Sequence, residues 1–130
     1  MLFAAAITTH HSTGNYDLNV IQVALHSANF ETSWVRASDS CLRLFEEAAE
    51  SGTRGFLLNR PETACCGLWK SNHWYALTLH ENKWYILDSR ATSATLVSIS
   101  AATEHIESLM DEGGHALRVC TAAAASSAGS

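Results

Sequence analysis

Apolar residues follow two rhythms along this chain, and together they outline eight elements. Leu18, Val20, Ile21, Ala24 and Leu25 recur at helical spacing. Asn15 can cap that helix and Asp17 suits its first turn, so a helix is predicted to about Ser27. Phe30 to Val35 alternates, with Phe30, Thr32 and Trp34 on one face, and reads as a strand. Ser38-Asp39-Ser40 caps a second helix holding Leu42, Phe45 and Ala49, with Gly52 as its stop. Gly55 to Asn59 reads as a short strand that Pro61 ends. Thr63 to Asn72 reads as a loop. Trp74 to Leu79 and Trp84 to Leu87 are strands, and Leu96 to Ile99 is short and β-branched. Ser100 caps a third helix with Ala102, Ile106, Leu109 and Met110, closed by Gly113-Gly114. Ala116 to Cys120 is the final strand. The order α, β, α, β, β, β, α, β, with a hairpin in the middle, predicts an α+β fold with a mostly antiparallel sheet and helices packed on it.

The hairpin is the most informative stretch. Its two strands enclose Glu81-Asn82, and Asn82 tolerates positive φ, so a two-residue turn fits. Paired positions then sum to 163, with His80 facing Lys83, Tyr75 facing Asp88 and His73 facing Arg90. His73 and Asp88 become diagonal neighbours on one face, with Cα atoms roughly 7–8 Å apart. One face should carry His73, Tyr75, Leu77, Leu79, Trp84, Ile86 and Asp88. The other should carry Trp74, Ala76, Thr78, Tyr85 and Leu87. A three-residue turn would send His73 and Asp88 to opposite faces. An imidazole oriented by a carboxylate is two thirds of a nucleophilic triad. On spacing alone, two ordinary strand-end residues are the favoured reading of the pair.

Composition narrows the function classes. At 130 residues, 47% hydrophobic and 16% charged, the chain fits one globular domain at most. Lys and Arg number only 8 and net charge is −5, so nucleic acid is not an expected partner. No apolar run approaches the ~20 residues that span a bilayer. Met1 to Ile7 lacks the basic residues of a signal peptide. Cys41, Cys65, Cys66 and Cys120 form neither a disulfide framework nor a paired zinc pattern, which fits a reducing compartment, cytoplasmic or nuclear. His10-His11 lacks the further ligands of a metal site, and no cofactor is expected.

Three blocks occur in order: Gly14-Asn15-Tyr16-Asp17-Leu18-Asn19-Val20-Ile21, then Gly55-Phe56-Leu57-Leu58-Asn59, then His73-Trp74 with Trp84-Tyr85-Ile86-Leu87-Asp88-Ser89. Together they resemble the second half of the Josephin domain, over roughly Gly14 to Cys120. The likeness is to the short, single-domain Josephins more than to the ataxin-type proteins with polyglutamine tails. The resemblance implies a papain-like fold and a cysteine-type deubiquitinase. Its partner would be ubiquitin or a ubiquitinated protein. His73 matches the family's catalytic histidine, and Asp88 the residue that orients it.

The chain also departs from that pattern. A Josephin domain begins with a helix bearing Gln-x-x-Cys, whose Cys is the nucleophile and whose Gln helps bind the oxyanion. Nothing before Gly14 matches it, and the only glutamine is Gln22, inside the first helix. The expectation is an irregular lead-in over 1–13, an N-terminally truncated Josephin-like domain over 14–121 and a disordered Ala/Ser-rich tail over 122–130. A false start, a genuine truncation and one segment of a split gene all fit. Cys41, near a predicted helix N-terminus, could carry a lowered thiol pKa. Cys65 and Cys66 precede His73 by a short loop but lack an oxyanion hole there. Cys120 reads as a buried strand residue. Trp34 and Trp69 read as packing residues, with a ubiquitin-tail groove as the alternative. His26, His80, His105 and His115 read as solvated or locally bonded. Beside the enzyme stand two other readings, a non-catalytic ubiquitin-binding module and a truncated gene-model fragment.

Overall fold

The structure, a computed structural model, describes residues 18–64, 67 and 69–122. The predicted Asn15 cap, the lead-in, Cys65, Cys66 and the tail from 123 onward lie outside them. Six strands form one antiparallel sheet in the order β1-β6-β2-β3-β4-β5. These are β1 (Phe30–Trp34), β2 (Thr53–Ala64), β3 (Trp69–His80), β4 (Lys83–Leu87), β5 (Thr95–Val97) and β6 (His115–Thr121). The helices are α1 (Leu18–Ser27), α2 (Cys41–Glu46), α3 (Ala48–Ser51) and α4 (Ile99–Asp111). The expected α+β class is the one found.

The pleat divides the core into two layers. Ile21 and Leu25 of α1 pack on Phe30, Leu57, Trp74, Ala76, Leu117 and Val119. Phe45 of α2 and Ile106 and Leu109 of α4 pack on Phe56, Leu58, Tyr75, Leu77 and Trp84 across the opposite face. Alternate residues of β2 and β3 therefore bury on opposite sides, as in a sheet covered twice. Phe45 anchors the second layer, with its ring edge-on to Trp84 at 4.7 Å between centroids. Val20, read as part of the apolar face of α1, is instead exposed.

Several boundaries differ from expectation for identifiable reasons. The second helix is two pieces, broken at Glu47, whose φ of −97° and ψ of 8° lie off the helical region. Ser40 caps its start, with Oγ accepting from the Arg43 N–H, and Gly52 stops its end at φ 76°. Pro61 does not end β2, because it pairs with Asn72 of β3. Beyond Asn59 the strand has lost its other neighbour β6, and an edge position tolerates a missing N–H. The predicted loop 63–72 therefore shrinks, and its last residues are the start of β3. Thr95–Val97 becomes an edge strand on β4. Ser98, not Ser100, caps α4, its Oγ accepting from the Ala101 N–H at 3.1 Å. Gly113, at φ 89°, closes that helix, and the Gly114 N–H returns to the Leu109 carbonyl at 2.8 Å. Trp34, expected to pack, leaves 47% of its surface exposed, with its ring edge-on to His115.

Candidate active site

The site begins with the turn between β3 and β4. Glu81 and Asn82 sit at φ 51° and 63°, the left-handed pair that a two-residue hairpin turn needs. The register follows: His80 faces Lys83, Leu77 faces Ile86 and Ala76 faces Leu87, and each pair sums to 163. The ladder stops there, one pair short of Tyr75 and Asp88. The alternation carries on, and His73 and Asp88 emerge on the same face. His73 Nε2 lies 2.8 Å from Asp88 Oδ1. The His73 side chain is 7% exposed and that of Asp88 24%.

Asp88 is held by its own turn. The Arg90 N–H donates to the same Oδ1 at 3.0 Å, and the Ala91 N–H donates to the Asp88 carbonyl at 2.9 Å. Burial pushes the Asp88 carboxyl up, but the hydrogen bonds from the Arg90 N–H and from His73 outweigh it and hold the group below its ordinary range. A carboxylate can only accept, so Nε2 donates its proton to Asp88.

A second polar group lies beside this pair. Tyr75, two residues along β3, stacks on His73 with rings 13° from parallel and centroids 5.7 Å apart. Its hydroxyl accepts from Arg60 Nη2 at 3.0 Å and shares a hydrogen bond with His105 Nε2 at 2.6 Å. Arg60 arrives from β2, where it faces His73 directly in the register. Its guanidinium also lies 4.9 Å from the centroid of the Tyr75 ring. His105 comes from α4. Burial first, and the Arg60 charge second, push its pKa below the ordinary value. Burial likewise raises the Tyr75 phenol. Further out, Arg90 Nη1 meets Glu62 Oε1 at 2.6 Å, which ties the Asp88 turn to β2 and lowers the Glu62 carboxyl.

The described cysteines are poor nucleophiles. Cys41 is buried in the α2 side of the core, and burial, then Glu107 and Asp39, raise its thiol. The dipole-lowered thiol expected there is not what the structure contains. Cys120 is buried, as expected, with Sγ 3.9 Å from Thr53 Oγ1. Thr53 and Arg60 are 60 − 53 = 7 residues apart on β2, so Cys120 lies roughly 23 Å along the sheet from the His73 end. Among the described residues no group of three or more His, Cys, Asp and Glu side chains could hold a metal ion. Among them also, no helix is long and apolar enough to cross a membrane.

Sequence reasoning placed His73 and Asp88 together but missed what surrounds them. Tyr75 was on the correct face, and its spacing of two from His73 was the available signal. Arg60 was hidden because Pro61 was read as the end of its strand. His105, read as solvated or locally bonded, reaches a partner 30 residues away. No local pattern announces such a contact.

The Josephin family model matches residues 3–120 of the chain. A Josephin-like protein of Arabidopsis thaliana is 34% identical over 82 residues, which is 62% of this chain and 22% of that protein. A Josephin-like protein of Drosophila melanogaster is 37% identical over 84 residues, which is 59% of this chain and 35% of that protein. The match thus spans about a fifth to a third of the length of these relatives. Among solved structures, the Pseudomonas avirulence protein AvrPphB aligns with 92% of this chain and 68% of its own, at 16% identity and a TM-score of 0.42.

Proposed function

The chain belongs to the Josephin family, and we propose that it carries the histidine–aspartate half of a cysteine-type deubiquitinase site that acts on ubiquitin conjugates. The observation that carries this reading is the 2.8 Å contact between His73 Nε2 and Asp88 Oδ1. In the proposed reaction, His73 Nδ1 takes the proton of a cysteine thiol. The thiolate attacks the carbonyl carbon of ubiquitin's C-terminal glycine. His73 then gives the proton to the departing amine as the C–N bond breaks. Asp88 keeps the proton on Nε2 throughout and steadies the imidazolium. Water hydrolyses the resulting thioester, and no cofactor takes part. A reducing cytoplasmic or nuclear compartment suits this chemistry.

The nucleophile is proposed to lie outside this chain, since no Gln-x-x-Cys stretch precedes Gly14 and the described cysteines, Cys41 and Cys120, are buried. That burial also favours the second reading, a ubiquitin-binding module without catalysis. The test is hydrolysis of a ubiquitin C-terminal amide reporter by the natural full-length protein. His73→Ala should lower kcat by about 10³-fold or more, and Asp88→Ala by about 10²-fold. Activity unchanged in both variants would remove the dyad from the mechanism. A natural protein that binds ubiquitin but never turns over the reporter would favour the second reading. The 130-residue chain alone should keep its intact mass with a ubiquitin C-terminal electrophile. A stoichiometric adduct on Cys65 or Cys66 would place the nucleophile there instead.

A further inference from the structure

A single hydrogen bond fixes a ring incompletely. Asp88 determines where His73 Nε2 points, yet the imidazole can still pivot about the Nε2···Oδ1 line, and that pivot sweeps Nδ1 through an arc. Reaction geometry tolerates little of this, because a displacement of about 1 Å can cost about 10²-fold in rate. Something must set the plane of the ring, and the neighbouring group with the matching plane is Tyr75, 13° from parallel.

Tyr75 is itself held at its far end. A phenolic oxygen offers one proton and two lone pairs. Here one lone pair receives Arg60 Nη2, and a second hydrogen bond joins the oxygen to His105 Nε2. Arg60 comes from the strand beside β3 and His105 from the helix that covers it. The hydroxyl is therefore pinned by two elements distant in sequence from its own. A tyrosine needed only for packing would not require this, since a phenylalanine would fill the same space in the layer with Leu58 and Leu77.

We propose that Tyr75, its hydroxyl clamped between Arg60 and His105, is a positioning residue that sets the plane of the His73 imidazole and so aims Nδ1. The proposal rests on the reading of His73 as the base. Tyr75 touches no reacting atom and acts through His73. The clamp also makes α4 a remote support of the site, since His105 is the helix residue that closes it.

The test uses nitrogen-15 spectra of the histidine rings in this chain, which need no turnover. Wild type should show His73 as one Nε2–H tautomer with a slowly exchanging ring proton. Tyr75→Phe keeps the ring but frees its edge, and His105→Ala removes the hydrogen-bond partner on the other side. Both should give averaged His73 nitrogen shifts and ring-proton exchange about tenfold faster, with backbone amide spectra preserved. His105→Gln, whose amide can accept from the phenol or donate to it, should restore the wild-type pattern. Unchanged His73 spectra in Tyr75→Phe and His105→Ala would overturn the proposal, as would failure of His105→Gln to restore them. In the full-length protein, the same two variants should lower kcat about tenfold with KM unchanged. Loss spread equally over kcat and KM would mark general damage and overturn it. Failure of His73→Ala to affect turnover would instead remove the reading beneath, and the ring spectra tell the two failures apart.

Discussion

The two halves of β3 lie on the same strand and face the same layer, yet they are held by different forces. In the inner half, Leu77 and Leu79 meet Trp84, Ile86, Phe45 and Phe56, and their contacts are apolar and non-directional. In the outer half, His73 and Tyr75 are held by Asp88, Arg60 and His105 through hydrogen bonds of 2.6 to 3.0 Å. The inner half secures the register. The outer half uses that register to bring together groups whose value depends on direction. A strand can thus be stabilised at one end and made chemically specific at the other, at little mutual cost.

The largest effect that would test this division is on the inner half. Leu77 is fully buried, and Leu77→Ala should destabilise the fold by about 2–5 kcal/mol in chemical denaturation. A loss under about 1 kcal/mol would show that the apolar half does not anchor the strand. The outer half should be less costly. Tyr75→Phe leaves the Arg60 guanidinium and the His105 ring without their shared partner, and should cost about 1–2 kcal/mol. A loss as large as that of Leu77→Ala would erase the distinction between the halves.

The turn supplies a change of opposite sign. Glu81 occupies φ 51° without the short polar side chain that makes asparagine tolerant there. Glu81→Asn should stabilise the hairpin by up to about 1 kcal/mol and leave the His73–Asp88 contact intact. A destabilised Glu81→Asn would mean that the turn conformation is imposed without strain.

The smallest effect is a pH slope confined to the outer half. The folded-state pKa of His105 lies below its ordinary value of 6.5, through burial and then Arg60. As pH falls through 6.5 the unfolded chain takes up this proton first, so stability declines until the folded-state pKa is passed. Asp88 is also depressed, by hydrogen bonds that outweigh its burial. Its contribution is present above its ordinary value of 3.8 and is lost as pH falls through the lower folded value. The two windows open at different pH, at 6.5 and at 3.8, and His105→Gln should flatten only the upper one in denaturation measured across pH. Flattening of the lower window alone would contradict the assignment.

Much of the outer site was out of reach of pattern reading for one local reason. Pro61 ended the predicted strand, so the register Arg60 to His73 never arose, and with it went Glu62, which meets Arg90. Proline penalises a strand flanked on both sides, and nothing local says that β6 ends at Asn59. The Glu47 break in the second helix was equally silent.

What the sequence by itself determined was whatever depends on period and turn length. The two faces of the β3–β4 hairpin, its two-residue turn and the side shared by His73 and Asp88 follow from an alternation of two and from a short loop. The α+β class follows from the order of the elements. Only the tertiary structure decided which groups close on that pair. Arg60 reaches Tyr75 across 15 residues and His105 reaches it across 30. Such contacts depend on where a neighbouring strand and a covering helix come to rest, and packing sets that position with no local trace in the chain.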